Sequence, residues 1–139
     1  MKFSTKDRYA LRLMVELANR PPETLLSLKE ISGSQDISLK YLEQIVTPLT
    51  RAGLVSSGRG SQGGYRLART PQQITTGDIL RAVEGEIVPI PCLASEAGEC
   101  PRRALCSTLP FWAGLNDVIN QYLDGITLDE LVKSDGLGL

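Results

Sequence analysis

Histidine is absent from this chain of 139 residues. That absence removes every His-based catalytic site and the commonest protein ligand for zinc. Apolar runs long enough to cross a bilayer are missing too, which excludes a helical membrane span. The polar start Met1-Lys2-Phe3-Ser4-Thr5-Lys6-Asp7-Arg8 lacks the features of a secretory signal, so a cytoplasmic location without membrane attachment is expected. Cysteine is scarce and clustered. Its three copies, Cys92, Cys100 and Cys106, fall within fifteen residues, whereas a disulfide framework spreads its cysteines along the chain. No catalytic pair is visible, and an enzyme is not expected. The length suits one compact domain or a small domain with an accessory element, and a chain this short often completes its burial by dimerising.

The formal net charge of −1 hides a division. Residues 1–70 hold 11 Lys and Arg against 6 Asp and Glu, whereas residues 71–139 hold 4 against 10. The first half is therefore basic and the second acidic. A basic half fused to an acidic one fits a protein whose first part meets phosphates.

Apolar periodicity predicts a first helix from about Thr5 to Asn19, carried by Tyr9, Leu13 and Leu17 and stopped by Arg20-Pro21-Pro22. Ser27 and Glu30 form a capping box for a short second helix reaching the Gly33 region. Ser38 caps a third, running to about Ala52. Its expected buried stripe is Leu39, Leu42, Ile45 or Val46, and Leu49, with Lys40, Glu43, Gln44 and Thr47 on the polar face. Pro48 predicts a kink there or an early end to regular bonding. Residues 54–57 and 65–68 read as strands around the glycine-rich run Gly58-Arg59-Gly60-Ser61-Gln62-Gly63-Gly64. Thr75-Thr76-Gly77-Asp78 caps a fourth helix through Val83, and residues 84–106 read as irregular. Periodicity returns from Ser107 to Leu123 with Leu109, Trp112, Leu115, Ile119, Tyr122 and Leu123, a stripe broad enough for a partner helix, the alternative being that it packs back on its own domain. Thr127 and Glu130 cap a last turn before a tail expected to fray.

Three helices followed by a glycine-rich hairpin is the order of a winged helix-turn-helix. The fold class expected is mainly α with a small β-hairpin wing and a long dimerisation helix. In that arrangement residues 1–83 form the winged helix-turn-helix, 84–107 a cysteine-containing loop, and 108–139 the dimerisation helix and tail. The third helix would lie in the major groove of double-stranded DNA. Gln44 can pair with adenine, Glu43 can accept from a cytosine amino group, and Lys40 can reach guanine or a phosphate. Ser38 and Tyr41 at the helix start suit phosphate contacts. Arg59, flanked by glycines, suits a narrow minor groove, with Gln62 close behind. A nucleotide-binding P-loop is excluded, because the glycine run lacks the Gly-Lys-Ser/Thr ending and a following helix.

The three cysteines are separated by seven and five intervening residues, which is neither a zinc-ribbon nor a redox C-x-x-C spacing. Three thiolates in one loop can anchor an iron–sulfur cluster, leaving at least one iron for another ligand. Pro89, Pro91 and Pro101 stiffen the loop, and Arg102 and Arg103 favour thiolates. Three incidental thiols, or a thiol–disulfide switch in place of a cluster, are the alternatives. A cluster-carrying protein with no DNA role is the more distant one.

The runs Ser38-Leu39-Lys40-Tyr41-Leu42-Glu43-Gln44-Ile45, Ala52-Gly53-Leu54-Val55-Ser56-Ser57 and Gly63-Gly64-Tyr65-Arg66-Leu67-Ala68 resemble the Rrf2 family of bacterial winged-helix regulators. The similarity continues through Ile79–Val83, the cysteines and Ile126–Leu131, covering nearly the whole chain. The resemblance implies a homodimeric transcription regulator built on the helix after the cysteine loop. Its cluster-binding, IscR-like branch implies a two-iron or four-iron cluster on Cys92, Cys100 and Cys106. The same branch implies base readout by Ser38, Lys40, Glu43 and Gln44 and a minor-groove role for Arg59. Well-known members of that branch place a histidine three residues after the third cysteine, where this chain has Leu109. Other members take a carboxylate from the first helix of the opposite subunit, and Asp7 stands near that position here; the alternative is that Asp7 simply occupies the helix start, where a negative charge is favourable. Solvent, a small thiol, Glu96 or Glu99 are the other options for a fourth ligand.

Overall fold

The computed structural model describes residues 2–58, 63–98 and 100–133. Arg59 and Gln62 of the wing tip, Glu99 and the tail from residue 134 lie outside the described residues. Six α-helices and one two-stranded sheet are present among the described residues: α1 (Thr5–Ala18), α2 (Leu28–Gln35), α3 (Leu39–Arg51), β1 (Val55–Gly58), β2 (Gly64–Leu67), α4 (Thr76–Glu84), α5 (Leu109–Gly125) and α6 (Leu128–Lys133).

Caps set most of these boundaries. The Ser4 backbone N–H donates to the Asp7 carboxylate at 2.7 Å at the head of α1. Ser27 Oγ accepts the Glu30 N–H at 3.1 Å, and Ser38 Oγ accepts the Tyr41 N–H at 3.2 Å. Thr75 and Asp78 exchange two bonds of 3.0 Å at the head of α4. Each satisfies an N–H that the helix itself leaves unpaired. Helix α2 outlasts Gly33 and ends two residues later, where Asp36 takes the left-handed conformation at φ 55°. Aspartate tolerates that region better than most residues. Helix α3 also continues past Pro48 to Arg51, with the Ala52 N–H bonded to the Pro48 carbonyl at 3.0 Å. Of the kink or early end expected at the proline, the early end does not occur.

Leu13 and Met14 of α1, Ile31 of α2, Leu42, Ile45 and Leu49 of α3 and Ile79 of α4 are wholly buried together. Val46 joins them, so both candidates for the third apolar position of α3 point inward. Leu39 does not. It sits at the first turn of α3, 44 % exposed, because the helix start projects beyond the core that the later turns cover.

Helix α6 returns to the same core through Leu128. The Thr76 N–H donates to the Ile126 carbonyl and the Leu128 N–H to the Ile74 carbonyl, both at 2.8 Å. A smaller cluster of Leu80, Ile87 and Leu123, with Leu11 and Ile119 against it, docks α5 onto α4. Arg81 reinforces that junction with paired bonds to Asp124 at 2.6 and 3.0 Å and one to Asn120 at 2.7 Å. The apolar surface of α5 therefore divides. Ile119 and Leu123 face the chain's own domain, whereas Phe111, Val118 and Tyr122 are 60–65 % exposed. No helix among the described residues is long and apolar enough to cross a membrane.

Candidate nucleic-acid interface and cysteine loop

Helices α2 and α3 form a tight pair. The turn between them is fixed by the Ser32 hydroxyl, which donates to the Ile37 carbonyl at 2.6 Å, and by Ile37, buried beneath it. Arg12 of α1 braces the turn from outside, donating to the Gln35 side chain at 3.0 Å and to the Gln35 carbonyl. The first residues of α3 are thereby held outward as a unit.

Ser38, Lys40, Glu43 and Gln44 are all exposed on that helix. Among the described residues the Lys40, Glu43 and Gln44 side chains form no ion pair or hydrogen bond, so their donors and acceptors face solvent uncommitted. The Ser38 hydroxyl is partly committed to capping. Tyr41 is half-buried, its ring edge-on to Tyr9 at 5.3 Å, and the Arg12 guanidinium lies 5.2 Å from the centre of the Tyr9 ring. This Arg12–Tyr9–Tyr41 stack was not legible in the sequence, because residues 9 and 41 are brought together only by the packing of α1 on α3.

Beside α3, β1 and β2 pair antiparallel with Val55 opposite Leu67 and Gly58 opposite Gly64. Leu26 adds a third backbone segment, exchanging hydrogen bonds of 2.8 and 3.0 Å with Tyr65. Gly64 lies against that segment so closely that a β-carbon would stand 2.6 Å from the Leu26 carbonyl oxygen. A hairpin with a glycine-rich tip is thus anchored next to an uncommitted polar helix face, the arrangement of a winged helix-turn-helix.

The comparison with known proteins agrees. Residues 3–134 match the family model described as "Rrf2: Iron-dependent Transcriptional regulator". The chain belongs to the Rrf2 family. Like other members of that family, it is a DNA-binding transcription regulator. Over 137 residues it is 44 % identical to the HTH-type transcriptional regulator CymR of Bacillus subtilis, covering 98 % of this chain and 94 % of CymR. It is 40 % identical over 132 residues to the HTH-type transcriptional regulator IscR of Aliivibrio salmonicida, covering 95 % and 77 %. The solved structure of CymR, the global cysteine regulator of B. subtilis, superposes with a TM-score of 0.75 at 43 % identity, covering 95 % of this chain and 96 % of that one.

The cysteines of this Rrf2 protein lie between α4 and α5. Cys92 stands in a 3-10 turn at Pro91–Leu93 and Cys106 just after another at Arg103–Leu105; Cys100 precedes the second. All three are exposed and unbridged. Ser95 fastens the first part of the loop to Glu86, its N–H donating to the carboxylate at 2.6 Å and its hydroxyl donating as well; these bonds hold Glu86 below the usual carboxylate range. Cys106 Sγ lies 3.5 Å from the Thr108 hydroxyl, and that contact draws the thiol below its ordinary pKa.

Three thiols on one exposed loop are a donor set that an iron–sulfur cluster takes. They are not gathered: among the described residues no group of three or more His, Cys, Asp or Glu side chains is placed to hold a metal ion. Asp7 is only 1 % exposed, with one carboxylate oxygen capping α1 and Oδ1 without a hydrogen bond. Glu84 lies beside it and shares the Ser4 hydroxyl at 3.0 Å. Burial and the neighbouring Asp7 carboxyl push the Glu84 carboxyl up.

Proposed function

We propose that this regulator is a cytoplasmic homodimer that reads a pseudo-palindromic promoter site with α3 in the major groove and the wing in the adjacent minor groove. The observation that carries this reading is the exposed face of α3, where Lys40, Glu43 and Gln44 stand uncommitted beside an anchored hairpin. In this reading Lys40, Glu43 and Gln44 address bases and Ser38 and Tyr41 contact phosphates. Arg59 enters the minor groove, with Gln62 beside it. Gln44→Ala and Arg59→Ala are each expected to cost about 1–3 kcal/mol of specific binding while leaving non-specific binding nearly unchanged. Unchanged binding of both variants to a defined promoter fragment overturns the assignment.

The same proposal makes the loop between α4 and α5 the sensor. Cys92, Cys100 and Cys106 would hold an iron–sulfur cluster once the loop gathers them; Asp7 of the partner subunit, the candidate further ligand, is buried at the head of its own α1 and would have to turn outward to reach it. The cluster would supply sensitivity to iron–sulfur supply, oxygen or nitric oxide. The chain's own part is to present three thiols on a segment joined directly to α5. Exposure of all three thiols favours a second reading, in which thiol oxidation replaces the cluster. Iron and sulfide counts on anaerobically purified and reconstituted protein separate the two. Stoichiometric iron and sulfide establish the cluster; their absence, with oxidant-dependent loss of free thiols, establishes the switch.

A further inference from the structure

A cleft of about 390 Å³, lined by no residue of the cysteine loop, opens between the end of α1, the Pro21–Thr24 turn, the end of β2 and the 3-10 turn at Pro71–Gln73. Its size falls within the range of roughly 300–1,000 Å³ that small-molecule sites occupy. Leu17, Pro21 and Pro71 contribute apolar wall, and Arg66 and Arg69 line it as cations. Arg69 has no carboxylate partner among the described residues.

Arg66 does have a partner, and its source is informative. Glu23 of the turn reaches Arg66 with its carboxylate. Glu23 also sits in a turn that holds its backbone at φ 72°, one of two non-glycine residues in that region among the described residues. Glutamate has no side chain suited to left-handed backbone, which costs about 1–2 kcal/mol. Both members of the pair are well exposed, Arg66 at 43 % and Glu23 at 79 % of their side chains, so water weakens their attraction. A strained, solvated carboxylate on a cleft arginine is a poor anchor and an easily displaced one.

We propose that this cleft binds a small organic carboxylate with an apolar body, which takes over Arg66 from Glu23, uses Arg69 as a second cation and lays its body on the Leu17–Pro21–Pro71 wall. Arginine suits this role because its planar fork meets a carboxylate with two parallel bonds. The site is coupled to the wing by the backbone. Arg66 directly follows Tyr65, which is hydrogen-bonded to Leu26, and Leu26 lies two residues beyond the Pro21–Thr24 turn. Displacing Glu23 frees that turn and the strand pairing that anchors the hairpin. The cleft thereby becomes an input to the regulator separate from the cysteine loop, and by linkage DNA binding in turn alters its occupancy.

The test is a backbone-amide NMR titration of the full-length protein with benzoate, hexanoate and inorganic phosphate. Saturable shifts of residues 17–24 and 66–73, extending to Leu26 and Tyr65, are expected with at least one carboxylate, with phosphate weaker. Arg66→Gln is expected to weaken that binding at least tenfold, and Glu23→Gln, which removes the internal competitor, to tighten it several-fold. Amide spectra unchanged elsewhere certify that both variants fold. The proposal is overturned by the absence of saturable shifts with both carboxylates, by equal affinity of Arg66→Gln and wild type, or by binding of phosphate alone. It is also overturned if Arg66→Gln and Arg69→Gln weaken promoter binding while the wild-type cleft ignores carboxylates. The arginines would then be DNA-phosphate contacts.

Discussion

Gly64 shows how a single residue fixes the hairpin. A β-carbon there meets the Leu26 carbonyl, a backbone atom that cannot rotate aside as a side chain can. Gly64→Ala is therefore expected to break the Leu26–Tyr65 bonds and to cost about 2 kcal/mol, read as a lower urea midpoint. Glu16 acts through charge. Hydrogen bonding from Ser34 first, then from Arg20 and Gln35, holds its carboxyl below the usual value against the opposing effect of burial. A depressed folded-state pKa gives stability that is complete above the unfolded-state value near 4.5 and is lost as pH falls through the lower folded value. Acid titration of Glu16→Gln should show about 1 kcal/mol less stability than wild type at pH 7, with the difference shrinking below pH 4.5. A constant difference across that range would rule out the charge explanation.

At the scale of elements, α3 and α4 were legible from their caps, and α1 from its apolar spacing and the Arg20-Pro21-Pro22 stop. Ser38 marked the start of α3, and Thr75 with Asp78 marked that of α4. Leu39 was misplaced because spacing assigns a residue to a helix face without saying where the core stops. Gly33 was misread as an end because glycine weakens a helix without obliging it to stop, and the left-handed Asp36 does stop it. The return of α6 to the first core could not be read from residues 127–133, since its partner strand segment at Ile74–Thr76 lies fifty residues earlier. The same holds for the loop, where spacing named three thiols but not their separation. Helix α5 rests on a small apolar cluster and the Arg81–Asp124 pair. Gly77 leaves room for that pair, since a β-carbon there collides with both side chains. Arg81→Ala should raise hydrogen exchange along the second half of α5 and cost about 1 kcal/mol. Protection unchanged throughout α5 would show that the apolar cluster suffices.

For the whole molecule, the basic first half and acidic second half now have places. The basic part carries α3 and the wing, and the acidic part carries the loop and α5. The three large apolar side chains exposed on α5 make it the surface on which a second copy is expected. Val118→Asp should turn the proposed dimer into a monomer by light scattering and lower promoter affinity at least tenfold, because one half-site would be lost. A variant that stays dimeric would move the interface elsewhere.

The bonds that hold Ile126 and Leu128 to Thr76 and Ile74 clamp the far end of α5, whereas its near end leaves the cysteine loop at Thr108. A helix of 17 residues is a rod of about 25 Å. Pivoted at the clamp, it converts a tilt of about 5° into about 2 Å of travel at the cysteines. The proposed sensor thus occupies the long arm of a lever and Arg81 sits close to the fulcrum. Chemistry that shortens or stretches the loop by a bond length or two would swing α5, and with it the spacing between the two DNA-reading heads of the proposed dimer.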